Sequence, residues 1–172
     1  LAGVFAGIAG WCFYVCIPAV VVLALFARRN ILKYILGGAP FGILLGVYHY
    51  ICFGSPFRTS VQLSTGFTEP GLLFGVFRLP TFEALWGITF SEYRGLFIVS
   101  PVLLLALFPW RKGRELWMAA TLILVTLIVV ASFNQWSGGF AFGPRYLLPV
   151  IPLFAIPLVH IRGRASIAIA IL

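Results

Sequence analysis

Residues 3–27 contain 25 consecutive positions without a charged side chain, and Arg28, Arg29 and Lys33 follow at once. A helix of that length rises about 37 Å at about 1.5 Å per residue, enough to cross a hydrocarbon core of about 30 Å. The alternation of uncharged run and basic cluster then recurs along the chain, and it restricts the available folds more than any single motif. Composition agrees: 62% of the residues are hydrophobic and 9% charged, against about 45–50% and about 25% in ordinary soluble domains. A water-soluble domain is excluded. The net charge of +8 comes in short clusters between apolar segments, a pattern that serves membrane insertion and gives no sign of nucleic-acid binding.

The runs predict an all-α, polytopic transmembrane bundle forming a single integral-membrane domain. Five spans are expected near 3–27, 31–53, 88–108, 116–133 and 144–161, with a truncated sixth at 165–172. Beginning at Leu1 and ending inside an apolar run too short to cross, the chain reads as an internal or C-terminal piece of a longer protein. Pro18 is expected to kink the first span, and Gly37–Gly38–Ala39–Pro40 to mark a break or a close helix contact in the second. Tyr48, His49 and Tyr50 fall where aromatic belts form, so His49, like His160, is expected at the interface. The 88–108 span draws Glu92 and Arg94 towards membrane depth, because its charge-free part, 95–108, is only about 21 Å long as helix.

Alternating the spans gives an orientation. One side carries eight basic residues (Arg28, Arg29, Lys33, Arg111, Lys112, Arg114, Arg162 and Arg164) and the other four (Arg58, Arg78, Arg94 and Arg145). By the positive-inside rule the first side is cytoplasmic, leaving the 54–94 and 134–145 loops outside. Three of the four glutamates, Glu69, Glu83 and Glu92, lie on that outer side, together with arginine but no lysine. Topology does not require those charges, so the outer face is where function is expected. Short interfacial or re-entrant helices are expected in the long outer loop, around Gly71–Phe77 and Thr81–Phe90. Thr81 is placed to cap the second of these, with Glu83 in its first turn.

Several outer groups suit an anionic, sugar-bearing ligand, and each also has a plainer role. Arg145 follows Gly143–Pro144 at the start of an apolar segment, where a guanidinium and the free N–H groups of a helix start favour an anion. The plainer role is a snorkelling anchor. Arg94 and Arg58 are further phosphate ligands, or else an ion-pair partner and a turn anchor. Glu92 is a candidate base or sugar-hydroxyl acceptor, or one half of an ion pair. Trp136, with the flexible backbone of Gly138 and Gly139, offers an indole face to a sugar ring or sits in an aromatic belt. No residue group has the spacing of a metal site, and no cofactor is implied. Asp is absent, which excludes an Asp-x-Asp metal motif.

The strings ALWGITFSEYRGLFIVSPVLLLAL (Ala84–Leu107) and NQWSGGFAFGPRYLLPVIP (Asn134–Pro152) cover about a quarter of the chain. They resemble motifs in bacterial membrane proteins of the C-type glycosyltransferase superfamily, relatives of the protein-mannosyltransferases and aminoarabinose transferases. The resemblance implies an enzyme of the bacterial inner membrane that moves a sugar from a polyprenyl-phosphate-linked donor on the non-cytoplasmic face. It also implies that Arg145 and Arg94 hold the lipid phosphate. The acid that acts as base in the family's first outer loop has no counterpart here. Two other classes remain open on the residues alone. A transporter or flippase for lipid-linked or anionic solutes would use proline-broken helices in the same way. A non-catalytic subunit would pack through Gly37–Gly38 and the Gly42-x-x-x-Gly46 face.

Overall fold

The structure is a computed structural model in which residues 1–63, 76–107, 113–138 and 143–158 are described. Among these residues all regular secondary structure is helical, apart from one isolated antiparallel bridge between Phe77 and Phe133. The chain divides into two compact units: Leu1–Leu79 with Phe133–Gln135, and Pro80–Ser132 with Trp136–Leu172.

The first unit opens with α1 (Ala2–Cys12), a 3-10 turn at Tyr14–Cys16, α2 (Ile17–Phe26), a second 3-10 turn at Arg28–Asn30, and α3 (Ile31–Phe53). The expected continuous span at 3–27 is therefore interrupted, and the interruption lies upstream of Pro18. Phe13 is extended (φ −151°, ψ 109°), and Pro18 occupies the first turn of α2. Proline has no N–H to give to a carbonyl four residues back, and its ring crowds that carbonyl. An α-helix running through residue 14 is disfavoured, whereas a helix starting at residue 17 loses nothing. Helix α3 matches the expected 31–53 span and carries Pro40 in its interior. Gly54 (φ 73°) terminates it, its N–H returning to the Tyr50 carbonyl at 2.9 Å. A four-residue helix, α4 (Ser60–Leu63), follows. The expected Gly71–Phe77 helix lies mostly outside the described residues. Its Val76–Phe77 end instead pairs with 133–134, the Asn134 N–H reaching the Val76 carbonyl at 2.8 Å and the Phe77 and Phe133 rings 5.8 Å apart.

Helices α1 and α3 cross where neither has a side chain to spare. A Cβ on Gly3 would collide with the Tyr34 carbonyl, one on Gly37 would lie 3.1 Å from Val4 N, and one on Gly38 3.2 Å from Gly3 O. The Gly37–Gly38 pair is thus a close helix contact within this chain. Gly42 has nothing within 4 Å of its Cβ position. His49, near the end of α3, is 5% exposed. Its Nδ1 lies 3.2 Å from the Pro56 carbonyl and its Nε2 3.0 Å from the Tyr14 hydroxyl. A carbonyl only accepts, so Nδ1 carries the proton and, in the neutral ring, Nε2 accepts from Tyr14. The polar pair thereby ties the break after α1 to the end of α3.

The second unit begins with α5 (Phe82–Thr89), started by Thr81, whose hydroxyl oxygen accepts from Ala84 N at 3.2 Å as the sequence suggested. A turn leads to α6 (Leu96–Val99) and a 3-10 segment at Pro101–Leu107. The expected 88–108 span is consequently a series of short pieces: Gly95 and Ser100 leave helical geometry, and Pro101 cannot continue the hydrogen-bond ladder. Helix α7 (Arg114–Ser132) is continuous, as expected for 116–133. It packs against α5 and against the 3-10 helix Arg145–Phe154, which leads into α8 (Ala155–Leu158). Over Arg145–Phe154 the expected 144–161 span is 3-10 rather than α because Pro149 and Pro152 sit three residues apart. Neither can donate to the carbonyl four residues back, and their spacing matches a helix of about three residues per turn. Leu147 and Val150 keep the same three-residue spacing in the core, followed by Phe154 and Pro157. Residues 159–161 and the sixth segment lie outside the described residues.

Two helices are long and apolar enough to cross a membrane, Arg28–Phe53 and Arg114–Ser132, among the described residues and by length and composition. The remaining apolar segments are shorter, at Ala2–Cys12, Tyr14–Phe26 and Arg145–Leu158.

Candidate anion site

The turn from Phe90 to Gly95 fixes the first functional side chain. Phe90 N and Ser91 N both donate to the Trp86 carbonyl, closing α5, and Gly95 N donates to the Ser91 carbonyl at 2.7 Å. The Ser91 hydroxyl receives Tyr93 N at 3.3 Å. A Cβ on Gly95 would strike the Ser91 backbone at 2.5 Å, so the tight return requires glycine. The turn leaves Glu92 and Tyr93 exposed and folds Arg94 inward to 2% exposure.

The second side chain comes from the loop after α7. Gly138 has φ +70° and Gly143 φ +71°. A Cβ built on Gly138 would lie 3.1 Å from Arg145 Nε, 3.3 Å from Arg94 Nη1 and 3.3 Å from Tyr146 Cε2. The two guanidinium groups therefore converge on one glycine, with those nitrogens no farther apart than the sum of the first two distances. Glycine there satisfies both the left-handed backbone and the narrow space.

Each arginine is held by its neighbour in sequence. The Arg94 guanidinium carbon stands 4.5 Å from the Tyr93 ring centre, and Nη2 donates to the Tyr93 hydroxyl at 3.1 Å. Arg145 repeats the arrangement on Tyr146, at 5.1 Å and 3.3 Å. Stacking on an aromatic face fixes the guanidinium plane without neutralising its charge. Arg94 is the buried member of the pair and Arg145 the exposed one. Like charges this close repel, and an anion at the exposed Arg145 would offset that repulsion.

The helix start contributes less than the sequence suggested. Pro144 is the cap and has no N–H, while Arg145 N turns back to the Gly143 carbonyl at 3.0 Å. The positive potential here belongs to the side chains. Trp136 is half-buried, its benzo ring seated where a Cβ on Gly87 would be, so it packs the loop onto α5. Arg58 belongs to the first unit, exposed in a turn in which its N–H donates to the Ser55 carbonyl at 3.2 Å. Glu92 is exposed on the turn carrying Arg94, and Gly139 lies outside the described residues. No group of three or more His, Cys, Asp or Glu stands together among the described residues.

Arg94, Arg145 and Gly138 are thus residues singled out in the sequence that the structure brings together. Tyr93, Tyr146 and Gly87 were not singled out, although a tyrosine directly beside each arginine is visible in the string. Comparison of the chain with family models, with curated proteins and with solved structures gives no match.

Proposed function

We propose that the Arg94–Gly138–Arg145 cluster is the donor-phosphate site of a membrane glycosyltransferase that takes a sugar from a polyprenyl-phosphate carrier. The convergence of two tyrosine-held guanidiniums on Gly138 carries this reading. In the transfer, an acceptor oxygen forms a bond to the sugar's anomeric carbon as the bond from that carbon to the phosphate oxygen breaks. The leaving phosphate gains negative charge, and prepositioned cations lower the barrier by binding that charge as it develops. Glu92, exposed on the Arg94 turn, is the candidate to take the acceptor proton. Trp136 is the candidate sugar-stacking surface, by whatever part of its indole remains open beside Gly87.

In this reading the chain lies in a bacterial inner membrane, with α3 and α7 crossing it and the shorter apolar segments supplying the remainder of about five crossings. The basic clusters face the cytoplasm and the arginine pair faces outward, where a lipid donor enters sideways from the bilayer. The proline-broken segments also suit a transporter of lipid-linked anions.

Sugar transfer from a labelled polyprenyl-phosphate donor, assayed in membranes, tests the proposal. Arg145→Ala and Arg94→Lys, expressed to the wild-type level, should each lose about 10²-fold in rate, the scale of removing one charge-stabilising donor. Full transfer by both variants refutes the site, and passage of the donor across the bilayer without turnover favours the transporter.

A further inference from the structure

The glycine crossing in the first unit fixes the direction of α1 as well as its closeness to α3. Gly3 packs on Tyr34 and Gly37, and Gly7 on Gly38 and Phe41. The Trp11 ring lies 6.2 Å from that of Phe41, and Tyr14 reaches His49. Residue numbers rise together along the two helices, so α1 runs parallel to α3. A single span at 3–27 would run antiparallel to α3 and bring Gly3 beside its end, near Phe53.

Helix α2 therefore turns back. Tyr34 alone touches both arms: its backbone carbonyl lies against Gly3, and its hydroxyl donates to the Val20 carbonyl at 2.9 Å. A straight helix would hold Gly3 and Val20 about 25 Å apart. A Cβ on Gly10 would lie 3.6 Å from the Ile17 side chain, although seven residues of continuous helix advance about 10 Å. The reversal takes place at the extended Phe13 and the 3-10 turn Tyr14–Cys16. Its polar groups are paired: Phe13 N donates to the Ala9 carbonyl at 3.0 Å, Cys16 N to the Phe13 carbonyl at 2.9 Å, and the Tyr14 hydroxyl meets His49. Such pairing is what hydrocarbon demands of a broken helix. The arms have 11 and 10 residues, about 15 Å each, too short to cross a core of about 30 Å. We infer that residues 2–30 enter the bilayer as a helical hairpin from the face carrying Arg28, Arg29 and Lys33, and leave by the same face. The segment replaces the single crossing that its composition predicts, while the sidedness of the loops after α3 is unchanged. The insertion rests on the membrane placement proposed above; the hairpin itself does not.

The test places pairs of spin labels on the full chain in lipid nanodiscs, with Cys12, Cys16 and Cys52 replaced by Ala. The pair Ala2→Cys and Asn30→Cys, both at exposed positions, should read below about 25 Å, where a continuous helix gives about 40 Å. The pair Asn30→Cys and Phe57→Cys should read about 35 Å or more, the length of α3, which shows that the unit is folded. In sealed vesicles a membrane-impermeant maleimide should label Ala2→Cys and Asn30→Cys from one side and Phe57→Cys from the other. A distance near 40 Å between residues 2 and 30 overturns the hairpin. Labelling of Ala2→Cys from the Phe57 side overturns its insertion from the basic face. A short distance with all three positions labelled from one side refutes the membrane placement of α3, and the insertion falls with it.

Discussion

Gly138 is the residue on which the site depends. Its left-handed backbone and the atoms around its Cβ position both exclude a side chain. Gly138→Ala should cost about 1–2 kcal/mol of stability and weaken phosphate binding by pushing Arg145 aside, measurable by denaturant titration and by phosphate affinity. Thr126 offers the opposite sign. It is buried in α7, and its hydroxyl has no hydrogen-bond partner among the described residues, whereas Thr121 and Ser132 on the same helix each bond a carbonyl four residues back. Replacing an unsatisfied buried hydroxyl by a methyl removes a desolvation cost, so Thr126→Val should stabilise by about 1 kcal/mol in the same titration. Neither effect is legible in the sequence. A glycine in a loop announces freedom and not the torsion it adopts, and a threonine in an apolar run does not reveal whether its oxygen is paired. Arg94 and Arg145 were legible, because charges that topology does not require stand out in so apolar a chain.

At the scale of elements, the helices that match expectation are those without internal conflict. Helix α7 has no proline, Thr81 caps α5, and α3 tolerates Pro40 within a long apolar run. The segments that differ are those in which hydropathy and backbone chemistry disagree. Residues 3–27, 88–108 and 144–161 are apolar enough to span, but Pro18, Pro101, Pro149 and Pro152 withhold backbone donors there. Counting apolar residues registers length and overlooks those missing donors. The α1–α3 crossing provides a test at this scale. Gly3→Val would drive a branched side chain into the Tyr34 carbonyl and should destabilise the pair by about 2–3 kcal/mol. Gly42→Val, with open space around it, should change stability by no more than about 0.5 kcal/mol. Denaturation in detergent micelles, followed by the fluorescence of Trp11 on α1, separates the two.

For the whole molecule, the helical class follows from composition, and the membrane reading rests on α3 and α7 together with the extensive apolar surface that α3 exposes. The pairing of residues 94 and 145, 51 positions apart, was expected from the resemblance alone; their meeting at Gly138 was beyond the residues themselves, because it depends on how the loop after α7 returns towards α5. That convergence is the central claim, and a double-mutant cycle on phosphate affinity addresses it most directly. Arg94→Gln and Arg145→Gln should each weaken binding about tenfold or more, and the double variant should lose clearly less than the product of the two losses, because both groups grip one anion. Losses that multiply independently, or single variants that bind phosphate like wild type, would contradict a shared site.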